Sequence, residues 1–285
     1  IMGVPPCQSW SEAGALRGIN DSRGQLFFDY IRFIKEKKPK FFLAENVSGI
    51  LFNRHSEALN NIFDHFLKIG YNVSFKLLDV NDYGVPQSRK RVIIVGYPSS
   101  YEDFFTPPEA EDYKPTLKDA IFHLKDNVVP ALKKNKTNPK VKIPNHEYMI
   151  GDFSSMYMSR NRVRGWDEPS FTIQAGGRHA PCHPQAPTMK KIEKDKCSFV
   201  SGKKKLYRRL SVRECAAIQT FPDNFVLEYT QVADGYKMIG NAVPVEFSKK
   251  LALKIKKDLK RFDNKPINFK KRGILINLNN PQKRN

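Results

Sequence analysis

Apolar positions keep a regular rhythm over the first 124 residues and lose it beyond them. Leu26, Phe27, Tyr30, Ile31 and Ile34 recur at helical spacing. The short run Phe41-Phe42-Leu43-Ala44 follows and reads as a buried strand with Glu45 at its C-terminal edge. Leu59, Ile62, Phe63 and Phe66 form a second helical face, and Val73, Phe75 and Leu77 alternate as a strand. Arg91 opens Val92-Ile93-Ile94-Val95-Gly96, a continuous apolar run that reads as a buried parallel strand. Residues 1–124 therefore predict an α/β lobe, half of a doubly wound sheet.

From about residue 125 the texture changes to prolines, lysines, asparagines and short apolar runs such as Phe171-Thr172-Ile173. That predicts a smaller, irregular, β-rich lobe over 125–232. Helix returns at Ser211, where Ser211-x-x-Glu214 is a capping box, and Cys215 falls on the helical pattern as a core residue. Asn241 reads as a turn residue before a last helix, which opens near Pro244 and carries Phe247, Leu251, Ile255 and Leu259 on one face. Residues 263–285 have no periodicity and read as a frayed basic tail. No internal repeat is present.

Composition narrows the partners. At 285 residues the chain can bury a real core and is expected to fold as two lobes. Lys and Arg number 49 against 29 acids, a net charge of +20, which is the footprint of a polyanion partner bound in a salt-sensitive way. Charge alone does not separate DNA from RNA or an acidic membrane. No segment approaches a membrane span and no charged-then-apolar leader opens the chain, so neither a membrane nor secretion is expected. Cys7, Cys182, Cys197 and Cys215 form no disulfide framework, which suits a reducing cytoplasm. His179, Cys182 and His183 match no usual zinc spacing, so no metal is expected.

The chemistry centres on Gly3-Val4-Pro5-Pro6-Cys7-Gln8-Ser9-Trp10, which presents one cysteine in a proline-stiffened loop. Three clusters follow in order: Glu45-Asn46-Val47, Gln87-Ser88-Arg89-Lys90-Arg91 and Gly240-Asn241-Ala242-Val243-Pro244. Thiol, carboxyl and guanidinium groups are thereby expected at one sheet edge, where open α/β sheets bind their ligands. The order and wording resemble the DNA cytosine-5 methyltransferases. A further block matches from Arg213-Glu214-Cys215 through Gln219-Thr220-Phe221-Pro222, and the likeness extends over most of residues 1–262. It is nearest to the bacterial GGCC-methylating enzymes of the HaeIII type, through Ser159-Arg160-Asn161-Arg162-Val163-Arg164 and His183-Pro184-Gln185-Ala186-Pro187.

The resemblance implies a partial doubly wound S-adenosylmethionine-dependent methyltransferase sheet with a small target-recognition domain at 125–232. The stretch 233–262 would return to the catalytic domain. It also implies roles. Cys7 would add to C6 of a flipped cytosine, because thiolate is the reactive form of cysteine and C5 becomes nucleophilic only once C6 is saturated. Glu45 would hold or protonate N3, Arg91 would bond O2, and Arg89 would steady the loop and a neighbouring phosphate. Asn46 and Gln87 would position these groups. Ser9 to Gly24 is expected to be a mobile loop that closes on DNA. Arg160, Arg162 and Arg178 would read guanines, each able to donate twice to O6 and N7. The partner the resemblance implies is double-stranded DNA, in a restriction–modification setting.

One departure matters. The Phe-x-Gly-x-Gly turn that cradles S-adenosylmethionine in this family is missing. Only Pro6, Leu26, Asn241, Ala242 and Val243 remain of the cofactor pocket by resemblance. The expectation is a truncated catalytic domain that works with an N-terminal complement, either a separate polypeptide or missing sequence. Two alternatives stay open: a fragment that binds DNA without catalysis, and a tRNA cytosine-5 methyltransferase.

Overall fold

The structure is a computed structural model that describes residues 1–5, 22–263 and 273–277. The chain divides into a first unit of Ile1–Asp79, Lys90–Glu109 and Lys250–Asn285, and a second of Val80–Arg89 and Ala110–Lys249.

The first unit is a sheet with helices. Its strands are β1 (Met2–Gly3), β2 (Phe42–Val47), β3 (Tyr71–Asp79), β4 (Lys90–Pro98) and β9 (Ile274–Asn277), in the spatial order β1-β2-β4-β3-β9. β1 runs parallel to β2 and β9 parallel to β3. β4 is antiparallel to both of its neighbours, which corrects the expected parallel strand. A continuous apolar run reports burial on both faces, not direction. Direction is set by the connection 80–89, which lacks the crossover helix a parallel return needs. β9 is a second correction, because it lies in the stretch read as a frayed tail. A four-residue apolar strand is too short to show a period, and its pairing with β3 comes from tertiary contact.

Helices α1 (Ser22–Lys37) and α2 (Ser56–Lys68) cover one face of this sheet. Phe27, Ile31 and Ile34 from α1 and Leu59, Ile62, Phe63 and Phe66 from α2 are buried against Phe42, Ala44, Val73, Phe75, Val92 and Ile94. Gly24, placed by sequence in a mobile loop, lies in α1. Phe42 stacks on Phe66 with centroids 4.3 Å apart, and Gly96 sits opposite Phe42 in the ladder. A Cβ on Gly96 would overlap the Phe42 ring. Gly96→Ala is therefore expected to cost about 1–3 kcal/mol through overpacking, read as a lowered urea midpoint; an unchanged midpoint would mean that the ring can step aside.

Within this unit the helix α6 (Val245–Phe262) contributes its part from Lys250 onward. Its expected apolar face is buried at Phe247, Leu251 and Ile255, but Asp258 takes the buried place next to half-buried Leu259. The reason is polar. Tyr97 Oη donates to Asp258 at 3.0 Å, and Lys254 Nζ reaches both carboxylate oxygens at 2.7 and 2.6 Å.

The second unit is built on α3 (Leu117–Ile121), α4 (Val212–Ile218) and α5 (Val232–Asn241). Leu117, Ile121, Val212, Ile218, Val232, Tyr236 and Ile239 are the centre of its core. Thr116 with Asp119, and Ser211 with Glu214, form capping boxes at α3 and α4, the latter as the sequence predicts. The rest is loop and 3₁₀ turn with two small ladders: β5 (Val129–Pro130) with β6 (Glu147–Tyr148), and β7 (Lys190–Glu193) with β8 (Lys196–Ser198). Phe171-Thr172-Ile173 forms no strand. Ser170 bridges to Gln87, and Thr172 Oγ1 donates to Ser88 O at 2.7 Å.

Candidate methyl-transfer site

In the first unit the edge where β2 ends is also where β4 begins, because the two run antiparallel. Glu45 pairs with Ile93, and Arg91 lies two residues before Ile93 on the same face, diagonal to Glu45. Arg91 Nε donates to Glu45 Oε1 at 2.8 Å, with side chains only 14% and 6% exposed. Asn46 is fully buried; its Oδ1 accepts from Val47 N–H at 2.9 Å, and its Nδ2 donates to Pro5 O at 3.4 Å. β1, parallel to β2, brings Gly3–Pro5 to this same edge. Pro6, Cys7 and Ser9 to Asp21 of the proposed closing loop lie outside the described residues. Leu26 is on α1 and 45% exposed.

In the second unit the polar residues of the motif blocks bond to one another. Gln87 Nε2 donates to Gln219 Oε1 at 2.9 Å, and Gln87 Oε1 accepts from Ile173 N–H at 2.8 Å. Gln219 Nε2 donates in turn to Ile239 O at 2.8 Å. Arg89 is buried, with Nη1 on Ile173 O at 2.9 Å and Nη2 on Gly240 O and Ala242 O at 3.1 and 3.2 Å. Arg89 thus holds three backbone carbonyls with its two terminal nitrogens. Gly240 is required for the same packing, since a Cβ there would overlap the backbone of Gln174 and Ala175. Asn241 is the last residue of α5, not a turn residue before α6. It is exposed, and Ala242 and Val243 are half-buried.

A cleft of about 210 Å³ in the same unit is lined by Arg160, Arg162, Arg164 and His179 with Ser88 and Gln174. Arg160 is exposed, as is Arg178 on the neighbouring turn Gly177–His179. Arg162 is buried; its Nε donates to Tyr157 O at 2.8 Å and its Nη2 to Met156 O at 3.0 Å. Arg164, quoted in the motif but given no role, is held by Glu168 at 2.6 Å and lies over the Phe171 ring. Burial, then the charges of Arg162, Arg209 and Arg178, lower the proton affinity of His179. The positive character of the cleft therefore rests on the guanidinium groups.

Sequence reasoning missed the buried centre of this unit. Arg208 donates to both oxygens of Glu214 at 2.7 Å, and Glu214 Oε2 accepts from Ser211 N–H at 2.7 Å. Arg213 is buried and donates to the carbonyls of Pro144 and Phe225 at 3.0 and 2.6 Å. Burial pushes the Glu214 carboxyl up, but the Arg208 bonds and charge outweigh it and the net shift is downward. His183 packs beside this pair, with Nε2 3.5 Å from Glu214. Its Nδ1 accepts from Gln185 N–H at 3.2 Å, and burial lowers its pKa to about 4. The ring is therefore neutral at pH 7, with its proton on Nε2. Cys182 Sγ contacts Tyr157 Oη at 3.3 Å. Among the described residues no grouping of His, Cys, Asp or Glu could hold a metal, and no helix is long and apolar enough to cross a membrane.

The chain belongs to the C-5 cytosine-specific DNA methylase family, whose model matches residues 1–257. It is 55% identical over 265 residues to the type II methyltransferase M.FnuDI of Fusobacterium nucleatum, covering 91% of this chain and 76% of that one. It is 57% identical over 260 residues to M.MthTI of Methanothermobacter thermautotrophicus, with 91% and 78% covered. The solved structure of the Entamoeba histolytica methyltransferase EhMeth shares the fold, with a TM-score of 0.60 at 18% identity over 90% of this chain and 77% of that one.

Proposed function

We propose that this chain methylates C5 of cytosine within GGCC in duplex DNA, as the modification half of a restriction–modification system. The Glu45–Arg91 pair at the shared edge of β2 and β4, with buried Glu45 and half-buried Arg91, is the observation that supports it most. One group of that pair can give a proton or hydrogen bond to N3, and the other can donate to O2, where charge develops as a nucleophile adds to the ring. Cys7 thiolate forms the bond to C6, and the displaced electron pair passes through the ring toward N3 and O2. When bound, S-adenosylmethionine supplies an electrophilic methyl group for the C5 so activated. Asn241, Ala242 and Val243 would hold it. A base then takes H5, the C6–S bond breaks, and thiolate returns. Water is the simplest candidate for that base.

Gln87 and Arg89 act by holding backbone, as their bonds to Ile173, Gly240 and Ala242 indicate. Arg160 and Arg178 are proposed to meet guanine directly. Arg162 supports the loop through its carbonyl bonds and lines the cleft.

The test is covalent trapping on duplex DNA carrying 5-fluorocytosine in GGCC, with S-adenosylmethionine and with Cys7→Ser as control. It is run with and without an added polypeptide bearing the Phe-x-Gly-x-Gly turn. A Cys7-dependent adduct is expected. Specific GGCC binding with no adduct in either arm would leave a recognition module, and an adduct on tRNA instead of duplex would reassign the substrate.

A further inference from the structure

The β7–β8 ribbon carries chemistry that methyl transfer leaves unused. Its strands pair antiparallel, Lys190 opposite Ser198 and Lys191 opposite Cys197. The chain reverses near Asp195, which has the left-handed φ of 55°. Every residue from 190 to 196 is exposed, as are Lys203, Lys204 and Lys205 beyond the next strand. Among the described residues only Lys196 of this set has an acidic partner, Glu193 at 2.8 Å. Ile192 stands 53% exposed between the lysines. Unpaired ammonium groups spaced within a Debye length repel one another. That cost is relieved by a polyanion, and a two-stranded ribbon has the width to lie in or along a duplex groove.

The root of the ribbon ties it to the arginine loop. Met189 N–H donates to Asn161 Oδ1 at 3.1 Å, and Arg162 N–H meets Met189 Sδ at 3.3 Å. Phe199, just after β8, stacks on Tyr207 with centroids 4.2 Å apart and meets Phe153 edge-on at 5.1 Å. Ribbon and loop 160–164 are thus joined by direct bonds inside the second unit.

We propose that this ribbon is a second DNA-contacting element, which grips the phosphates flanking the recognition sequence through Lys190, Lys191 and Lys194. The proposal rests on the DNA reading above. Phosphate contacts position a protein without selecting bases, so the ribbon lengthens the footprint and sets salt dependence, leaving sequence choice to the cleft.

The test compares the full chain with K190Q/K191Q/K194Q and with K37Q/K256Q/K257Q, which removes the same charge from exposed sites on α1 and α6. Binding is measured against salt on two GGCC duplexes, one with flanks of about 3 base pairs and one with about 12. On the long duplex the ribbon variant should show a salt slope shallower by roughly 2–3, at about 0.9 per lost phosphate contact, and at least about tenfold weaker binding at low salt. On the short duplex it should match the unmodified chain, and its thermal midpoint should be unchanged. Equal slopes for the two triple variants, or equal losses on both duplexes, would overturn the proposal. If the unmodified chain binds neither duplex, the DNA reading itself fails and the proposal falls with it.

Discussion

Glu45→Gln is expected to lower the rate of cytosine methylation by about 10²–10⁴-fold while the chain stays folded, the range general acid–base groups contribute. The amide keeps the volume of the carboxyl and an oxygen to accept the 2.8 Å bond from Arg91 Nε. It cannot deliver a proton to N3. It also leaves the Arg91 cation, only 14% exposed, without its counter-charge. Some loss of stability is therefore expected, since removing one member of a buried pair strands the other. The rate and the urea midpoint should be read together. A large fall in kcat with a loss of stability of about 1–2 kcal/mol or less assigns Glu45 to the chemistry. Activity within about tenfold of the unmodified chain would remove it from that role.

Arg208→Met is expected to cost about 3–5 kcal/mol, because it leaves the fully buried Glu214 carboxylate with the Ser211 N–H and a neutral His183 as neighbours. That is a large part of the 5–15 kcal/mol that typically separates folded from unfolded domains. Adding Glu214→Gln should recover part of the loss, since the capping box keeps an acceptor and the stranded charge is gone. A double variant no more stable than Arg208→Met would show that packing, not charge, holds this centre.

The same cluster fixes the response to acid. The unfolded chain protonates His183 below about pH 6.5, whereas the folded ring, held to about 4 by burial, stays neutral. The folded state binds fewer protons in that window. Stability should therefore fall as pH drops from about 6.5 toward 4, by up to ~1.4 kcal/mol per pH unit from this group. Glu214, lowered on balance, adds a loss of the same sign further into acid. Urea midpoints at about pH 7 and 5 check this, and His183→Gln should flatten the slope between them.

Local residue patterns set the helices with long apolar faces, the Ser211–Glu214 capping box and the motif blocks that mark the family. Each is written in residues close along the chain, through a repeating face, a fixed offset or a contiguous run. The rest depends on contacts between distant segments. Only register brings Arg91 diagonal to Glu45, and only the missing crossover helix makes β4 antiparallel. Arg89 reads as a site cation in its motif, yet folding brings it to carbonyls 84 and 151 residues away. Arg208 and Glu214 are six residues apart, but their bond matters because the fold buries both, and burial is a property of everything packed around them. Local sequence carries periodicity and chemistry. Partners, direction and desolvation arise only when distant segments meet, and those three decide which charged residues hold the fold and which are left for a substrate.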